Sequence, residues 1–228
     1  MIVNDTVSGI VAVVLGYLVG GFPSAYIVTR LVKGKDIRQI GTGHTGTGNM
    51  GARNVFVNVG KLPGAIVAIF DIAKGTGTIY LAQFVLGRPD MTPTQLHTAV
   101  LFLLGAGLAA VVGHIFPVYI GFKGGAGLAT AIGVLVVLLP RETLAALSAA
   151  LILIVVTKNV LLSVNVSLLS TPLWAWFFFR PWWLAVYPLV IAVVMFGHFL
   201  PNVMAEVRKA GSFDKLMGSL IHREPRGK

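Results

Sequence analysis

Long apolar stretches with few charges constrain this chain more than any other feature. A helix that crosses a membrane needs about 20 consecutive apolar residues. Apolar stretches cover residues 7–32, 62–86, 97–120, 125–139, 144–157, 160–179 and 182–200. The fourth and fifth are short for a full crossing, so we expect them to be tilted, partly re-entrant or longer than drawn. The pattern predicts an all-α integral membrane protein, a bundle of seven transmembrane helices forming one domain over residues 1–228.

The composition excludes the other broad classes of protein. Hydrophobic residues make up 56% of the 228-residue chain and charged residues 11%, whereas soluble domains carry about 25% charged residues. The same values exclude a disordered chain. The absence of cysteine excludes disulfides, thiolate metal sites and cysteine nucleophiles. The first apolar stretch is long and followed by others, so we expect no removable signal peptide.

The distribution of basic residues predicts the orientation. Seven crossings would place the two termini on opposite sides of the membrane. The C-terminal side would carry Lys33, Lys35, Arg38, Arg53, Lys61, Lys123, Lys158, Arg208, Lys209, Lys215, Arg223, Arg226 and Lys228. The other side would carry Arg88, Arg141 and Arg180. The positive-inside rule then predicts an outside N-terminus and a cytoplasmic C-terminus. Anionic lipid beside this basic rim accounts for the net charge of +10, so we expect no nucleic-acid partner.

The first candidate site is the first glycine segment, residues 41–54, which reads Gly-Thr-Gly-His-Thr-Gly-Thr-Gly-Asn-Met-Gly-Ala-Arg-Asn. Glycines allow backbone N–H groups to converge on an oxyanion, and Thr and Asn side chains add donors. Arg53 could give a planar, bidentate phosphate contact. A flexible solvated linker has a similar composition. The segment matches neither the P-loop nor the dinucleotide-binding motif, so a nucleotide-driven motor is unsupported.

The second candidate site is the second glycine segment, residues 113–127, which reads Gly-His-Ile-Phe-Pro-Val-Tyr-Ile-Gly-Phe-Lys-Gly-Gly-Ala-Gly. A helix is expected to end near Pro117, and the amides that begin the next helix could hold an anion together with Lys123. A topology-setting lysine in a tight turn is the alternative. Two basic, glycine-rich segments on one membrane face favour a shared anion site.

Polar residues inside the apolar stretches form a third group. Asp71 and Lys74 share one helical face at i and i+3 and can form an ion pair, and a structural pair is at least as plausible as a substrate role. His198 and Asn202 sit at i and i+4, where both could point into one cleft or lie at the membrane interface. His114 precedes Pro117 by one turn. An aromatic interfacial belt explains the tryptophans between residues 174 and 183.

With these motifs, the chain resembles the bacterial acyl-phosphate-dependent glycerol-3-phosphate acyltransferases over nearly its whole length. The resemblance rests on residues 20–24 (Gly-Gly-Phe-Pro-Ser), 33–38 (Lys-Gly-Lys-Asp-Ile-Arg), 46–54, 60–61, 70–75 (Phe-Asp-Ile-Ala-Lys-Gly), 113–130 and the closing pair His198 and Asn202. The family's seven helices and outside N-terminus agree with the charge distribution.

The resemblance implies transfer of a fatty acyl group from acyl phosphate to the 1-hydroxyl of glycerol 3-phosphate, giving lysophosphatidic acid and phosphate for phospholipid synthesis. It implies a multi-pass protein of the bacterial cytoplasmic (inner) membrane with a cytoplasmic active site. The partners would be acyl phosphate, glycerol 3-phosphate and membrane lipids, with no cofactor and no metal. Acyl phosphate is an activated mixed anhydride, so orienting a hydroxyl and neutralising two phosphates can supply most of the catalysis.

The motif match assigns the site residue by residue. The residues implied to be catalytic are Thr47, Asn49, Lys123 and His198. The residues implied to bind substrate or phosphate are Gly46, Gly48, Gly51, Arg53, Asn54, Gly124, Gly125, Ser163 and Asn202. Thr47 stands where the family has serine, and the match at Ser163 is loose.

Several positions depart from the family pattern. Val57 stands where the family has an arginine, and Arg53 could substitute for it. Ala126 replaces the second lysine of the Lys-Gly-Gly-Lys-Gly motif, His198 and Asn202 are one position further apart than usual, and an extra Gly-Thr-Gly precedes the matched loop. These departures leave open a family member that binds or moves a phosphorylated lipid without acyl transfer. A transporter or channel is disfavoured because no internal repeat is present.

Overall fold

The chain is built from helices that follow one another in sequence. The computed structural model describes residues 2–40, 49–87 and 93–210, and within these ranges the chain contains no strand. The helices are α1 (Ile2–Gly20), α2 (Ser24–Lys33), α3 (Ala52–Asn58), α4 (Lys61–Leu86), α5 (Pro93–Ile115), α6 (Leu128–Leu138), α7 (Pro140–Thr157), α8 (Val160–Leu169), α9 (Thr171–Phe177) and α10 (Trp182–Ala210). Single 3₁₀ turns lie at Ile37–Gln39 and Val118–Ile120. The predicted all-α class is confirmed.

Four segments of the described chain are long and apolar enough to cross a membrane. They are Asp5–Lys33, Lys61–Leu86, Thr94–Ile120 and Pro140–Thr157. They correspond to the first, second, third and fifth predicted stretches. The fifth begins earlier than predicted because Pro140 occupies the first turn of α7, where a proline costs no hydrogen bond. The count of seven crossings and the orientation of the termini stay predictions.

Two of the remaining stretches differ from simple crossings. The fourth forms α6, whose 11 residues span about 16 Å, roughly half the thickness of a bilayer core. The sixth is not one helix, because it is divided at Ser170 into α8 and α9. Pro172 lies in the first turn of α9, and a proline removes a backbone donor and clashes with the preceding turn of a continuing helix.

The main core lies where α6 packs between longer helices. The cluster contains Ile79 of α4, Val111 and Ile115 of α5, several residues of α6, and Tyr187, Ile191 and Met195 of α10. The crossing of α4 and α6 is close because both helices carry glycine there. A methyl group at Gly75 would overlap the carbonyl of Thr130, and one at Gly133 would overlap the carbonyl of Ile72. This packing fixes the start of α6, where the second glycine segment ends.

A break separates α1 from α2 and turns polar groups toward the bundle. The Gly21 N–H donates to the Tyr17 carbonyl at 2.8 Å, and α2 begins after Pro23. Ser24, the first residue of α2, is buried. Beyond α2, a second small core joins Ala25, Ile37, Met50, Val55 and Val67. This second core holds the described end of the first glycine segment against α2 and α4.

The close crossing of α4 and α6 can be tested with two alanine substitutions on α4. We expect Gly75→Ala to destabilise the protein by about 1–3 kcal/mol, because the added methyl group meets backbone rather than a movable side chain. Gly77→Ala is the matched control, since its added methyl group has no neighbour within 4 Å beyond the adjacent residues and backbone of its own helix, and we expect it to stabilise the helix by up to about 1 kcal/mol. Thermal unfolding in detergent measures both. Equal midpoints would contradict the crossing.

Candidate active site

The two glycine segments contact each other in the folded chain. The Met50 N–H donates to the Gly124 carbonyl at 3.2 Å. The Arg38 guanidinium donates through Nη1 to the Ile120 carbonyl at 2.9 Å. The described residues of the two segments are therefore in contact through their backbones, and the shared anion site stays a prediction.

Arg38 is itself held firmly. Its guanidinium donates to both carboxylate oxygens of Asp36, with Nη2 to Oδ2 at 2.7 Å and Nε to Oδ1 at 3.1 Å, and it lies over the Tyr26 ring. The hydrogen bonds from Arg38 hold the pKa of the Asp36 carboxyl below its ordinary value. Arg38 thus links the end of α2 to the second glycine segment.

The second glycine segment folds back onto the end of α5. The Gly124 N–H donates to the Ile115 carbonyl and the Gly125 N–H to the His114 carbonyl, both at 3.0 Å. These carbonyls belong to the last turn of α5 and have no partner within the helix. Because both amides cap α5, they are not free to donate to a ligand. Gly124 and Gly125 instead allow the chain to pack closely against the end of α5.

Glycine is required at position 125 by close packing. A methyl group there would overlap Nε2 of His114 and approach the Met50 carbonyl. Gly121 and Gly127 have φ of 74° and 83°, in the left-handed region that glycine adopts without strain. Residues 121–127 therefore form a tight turn, called the glycine turn below.

The glycine turn presents Lys123 to the surface. Lys123 is exposed and lies between Phe122, which has a positive φ of 60°, and the capping glycines. His198 of α10 reaches the same region, because its ring contacts the Phe116 ring edge-on with centroids 5.4 Å apart. Lys123 therefore lies at one end of a short segment, residues 116–123, and His198 contacts the other end.

The described end of the first glycine segment is organised by Asn54. Its buried side chain donates to the Asn49 carbonyl at 2.9 Å and to the Ile37 carbonyl at 3.4 Å, and it accepts from Asn58 at 2.6 Å. Gly51 stands immediately before α3, and Arg53 is exposed on the first turn of that helix. Asn54 therefore positions the segment with its amide, while Arg53 faces outward.

Asn49 carries an unsatisfied group next to the glycine turn. Its side-chain oxygen Oδ1 is buried and has no hydrogen-bond partner among the described residues. Buried polar atoms normally find a partner. The neighbouring Met50 N–H is bonded to Gly124, so this unpaired oxygen lies close to the junction of the two segments.

Some predicted site residues cannot be placed beside this junction. Gly46, Thr47 and Gly48 lie outside the described residues, and so does the side chain of Asn202, whose backbone belongs to α10. Ser163 is buried at the start of α8, where its hydroxyl donates to the Asn159 carbonyl at 2.8 Å and contacts the Thr157 hydroxyl at 2.9 Å. These contacts tie Ser163 to the turn between α7 and α8.

A buried polar cluster behind the glycine turn was only partly predicted. Asp71 and Lys74 form the expected ion pair, with Nζ 2.9 Å from Oδ1. The sequence did not predict that Ser24 donates to the same oxygen at 2.6 Å, or that His114 Nδ1 lies 3.6 Å from it. Both positions flank breaks in helices, at Pro23 and Pro117, and this was the available signal. Lys74, His114, Gly124 and Gly125 line one narrow cavity.

Three kinds of comparison identify relatives of this chain. The family described as "Glycerol-3-phosphate acyltransferase" matches residues 10–208. A glycerol-3-phosphate acyltransferase of Thermosynechococcus vestitus is 35% identical over 195 residues, covering 83% of this chain and 87% of the relative. Glycerol-3-phosphate acyltransferase 2 of Dehalococcoides mccartyi is 34% identical over 209 residues, covering 92% of each chain.

The fold is also similar to that of a solved enzyme. The crystal structure of PlsY, an integral membrane glycerol 3-phosphate acyltransferase, in its glycerol 3-phosphate form superposes with a TM-score of 0.71 at 28% identity, covering 89% of this chain and 93% of that one. Its lysophosphatidic acid form gives a TM-score of 0.68 at 26% identity with the same coverage.

The positioning role of Asn54 can be tested against its exposed neighbour. We expect Asn54→Ala to destabilise the protein by about 1–3 kcal/mol, because the carbonyls of Ile37 and Asn49 lose a buried donor. Arg53→Ala should change stability by less than about 0.5 kcal/mol, because surface substitutions rarely do more. Thermal unfolding in detergent measures stability, and hydrogen exchange of residues 49–58 reports the local effect. Unchanged exchange in Asn54→Ala would refute the assignment.

Proposed function

Because the chain belongs to the glycerol-3-phosphate acyltransferase family, we propose that it transfers a fatty acyl group from acyl phosphate to the 1-hydroxyl of glycerol 3-phosphate. The products are lysophosphatidic acid and inorganic phosphate. The observation that carries the proposal is the hydrogen-bonded junction of the two glycine segments, with Lys123 and Arg53 exposed beside it. The solved relative was crystallised with glycerol 3-phosphate and with lysophosphatidic acid, which supports the same acceptor and product here.

The reaction needs no nucleophile from the protein. The 1-hydroxyl oxygen of glycerol 3-phosphate attacks the acyl carbon, the bond from that carbon to the phosphate oxygen breaks, and the hydroxyl proton ends on a phosphate oxygen. The acyl donor is already activated, so the protein's contribution is to orient the hydroxyl and to stabilise negative charge. Lys123 and Arg53 suit the second task, because cations form strong, charge-assisted hydrogen bonds with phosphate oxygens.

Backbone donors of α6 support the same assignment. The Gly127 carbonyl accepts the Ala131 N–H at 2.8 Å, so α6 starts immediately after the glycine turn. The first N–H groups of a helix have no partner within it and carry partial positive charge. We propose that these amides and Lys123 hold one phosphate, while the unpaired Asn49 oxygen accepts a hydrogen bond from a glycerol hydroxyl. His198 and Thr47 complete the proposed catalytic set.

An apolar groove supplies a place for the acyl chain. It has a volume of about 610 Å³ and lies between α6, α8 and α10. One end is formed by Leu128, directly after the glycine turn, and by Met195 and Phe196, just before His198. We propose that the acyl chain lies in this groove with its reactive carbonyl at the glycine turn. Each buried CH₂ group contributes about 0.8 kcal/mol.

We propose that Arg53 on α3 compensates for the missing family arginine at Val57. Arg53 and Val57 are four residues apart and both exposed, so their side chains share one face of the helix. A cation at position 53 therefore serves the surface that an arginine at position 57 would serve. This supports Arg53 as the substitute and keeps the proposed activity despite the departure from the family pattern.

We further propose seven crossings with the N-terminus outside and the site at the cytoplasmic face of the bacterial inner membrane. The four candidate spans supply part of this count, and α6, the α8–α9 pair and α10 supply the remainder. The excess of basic residues on the side of Lys123 supports the orientation. Glycerol 3-phosphate is a charged molecule and would reach such a site from the cytoplasm.

The proposed reaction can be tested directly. Purified protein given hexadecanoyl phosphate and glycerol 3-phosphate should form 1-acyl-glycerol 3-phosphate and one equivalent of phosphate, without coenzyme A or divalent metal. Lys123→Ala should lower kcat/KM by about one to two orders of magnitude, because a hydrogen bond to a charged group contributes about 1.5–3 kcal/mol. Mass spectrometry of the lipid product and a phosphate assay measure turnover.

A protein-free reaction is the control for spontaneous transfer. Product no greater than this control, with glycerol 3-phosphate still bound in calorimetry, would replace the proposal with the binding-only alternative. Full activity in Lys123→Ala would show that Lys123 is not needed for catalysis and would favour the topology-setting alternative.

The substitution of Arg53 for the missing arginine has its own test. Arg53→Ala should raise the KM for a phosphate-bearing substrate about tenfold, the equivalent of about 1.4 kcal/mol. Moving the cation by one turn, in Arg53→Ala/Val57→Arg, should restore most of the loss because both positions lie on one face of α3. Steady-state kinetics measure both variants. Wild-type KM in Arg53→Ala would reject its role, and failure of the double variant would show that position 57 cannot serve.

A further inference from the structure

The buried cluster around Asp71 joins three parts of the fold through one carboxylate oxygen. Asp71 Oδ1 accepts from the Ser24 hydroxyl at 2.6 Å, pairs with Lys74 Nζ at 2.9 Å and lies 3.6 Å from His114 Nδ1. The Asp71 side chain is 1% exposed and that of Lys74 7%. The carboxylate thus bonds to the start of α2 and the middle of α4, and it packs against the last turn of α5.

Lys74 secures the break between α1 and α2. Its ammonium also donates to the Phe22 carbonyl at 3.2 Å. Phe22 lies between the two helices, where the regular helical hydrogen bonds are interrupted. The Phe22 carbonyl also accepts the Ser24 N–H at 3.0 Å, so Lys74, held by Asp71, adds a second donor at a place where irregular backbone must be satisfied internally.

His114 lies between Asp71 and the glycine turn. Its Nδ1 is in van der Waals contact with the carboxylate and has no hydrogen-bond partner among the described residues, and its Nε2 occupies the space beside Gly125. Its backbone carbonyl accepts the Gly125 N–H. A shift of the imidazole would push directly on the turn that carries Lys123, and Met50 would move with that turn because it is bonded to Gly124.

We propose that Asp71 is a positioning residue, which through Lys74 and His114 fixes the glycine turn and Lys123 for acyl transfer. This inference rests on the proposed function. Asp71 and Lys74 neutralise each other's charge and are screened from the surface by the turn. A buried ion pair is a weak source of stability, since well-packed apolar residues in its place are often equally stable. The contribution of the pair is therefore to geometry.

A second buried ion pair provides the matched control. Glu142 at the start of α7 is fully buried, and its Oε1 accepts from Arg180 Nε at 2.5 Å. α6 separates this pair from the glycine turn, because Pro140 follows the far end of that helix. Glu142→Gln should lower the thermal midpoint while leaving kcat/KM for glycerol 3-phosphate unchanged below that midpoint.

The test variant removes both charges of the first pair. We expect Asp71→Asn/Lys74→Met to retain a thermal midpoint near that of the native chain, because no charge is left unpaired. Its kcat/KM for glycerol 3-phosphate should fall at least about tenfold, the equivalent of about 1.4 kcal/mol. Native kcat/KM in this double variant would overturn the proposal. If it fails to fold, Ser24→Ala, which loses only one donor to Asp71, should still lower kcat/KM, and no change would overturn the proposal.

A readout without turnover separates this inference from the proposed function. The chain has no cysteine, so spin labels can be attached to cysteines introduced at Phe56 and Tyr119, which are 46% and 55% exposed. Their separation reports the distance between the two glycine segments. The double variant should broaden the distance distribution, and Glu142→Gln should not. If the native protein is inactive but the double variant still broadens the distribution, only the proposed acyl transfer is refuted. If the double variant leaves the distribution unchanged, the positioning role is refuted.

Discussion

The site depends on how the carbonyl groups at the end of α5 are satisfied. A helix that ends within a membrane protein leaves carbonyls without partners, and no water is available deep in the bundle to replace them. Here the amides of Gly124 and Gly125 return to the carbonyls of Ile115 and His114. This cap forces the chain into the glycine turn and fixes where Lys123 emerges. The glycines are needed because the turn packs against the His114 ring.

The same constraint applies to the break between α1 and α2, where the Phe22 carbonyl accepts from the Ser24 N–H and from a side chain. Lys74 reaches the Phe22 carbonyl from α4 and is neutralised by Asp71. The buried ion pair thus contacts Phe22 at the break after α1 and His114 at the end of α5. Arg38 and Met50 add the outer links, because each donates to a carbonyl of the second glycine segment. The described end of the first segment is consequently linked to the second segment.

Local sequence pattern predicted the elements that depend on local physics. The long apolar stretches became helices, and the spacing of Asp71 and Lys74 gave the observed pair. The division at Ser170 was missed because the apolar count ignored Pro172 in the middle of the stretch. Ser24 and His114 could not be assigned to the cluster, because their contacts with Asp71 span 47 and 43 positions of the chain and exist only after the helices pack. Likewise, the pattern marked Gly124 and Gly125 as phosphate-site residues, but only the fold reveals that their amides cap α5.

The distribution of charge explains why buried and exposed cations have different tasks. Lys74 is buried and lines the same cavity as Gly124 and Gly125 of the glycine turn. Asp71 neutralises its charge at 2.9 Å, so Lys74 adds little attraction for a phosphate. Lys123 and Arg53 are exposed, and under the proposed function they supply that attraction, at the cost of screening by salt. Exposed side chains are also mobile, and a mobile cation stabilises a transition state poorly unless its backbone is fixed. In the positioning role proposed for Asp71, the neutral buried pair fixes that backbone, and the presence of Ala126 in place of a second lysine makes Lys123 more dependent on it.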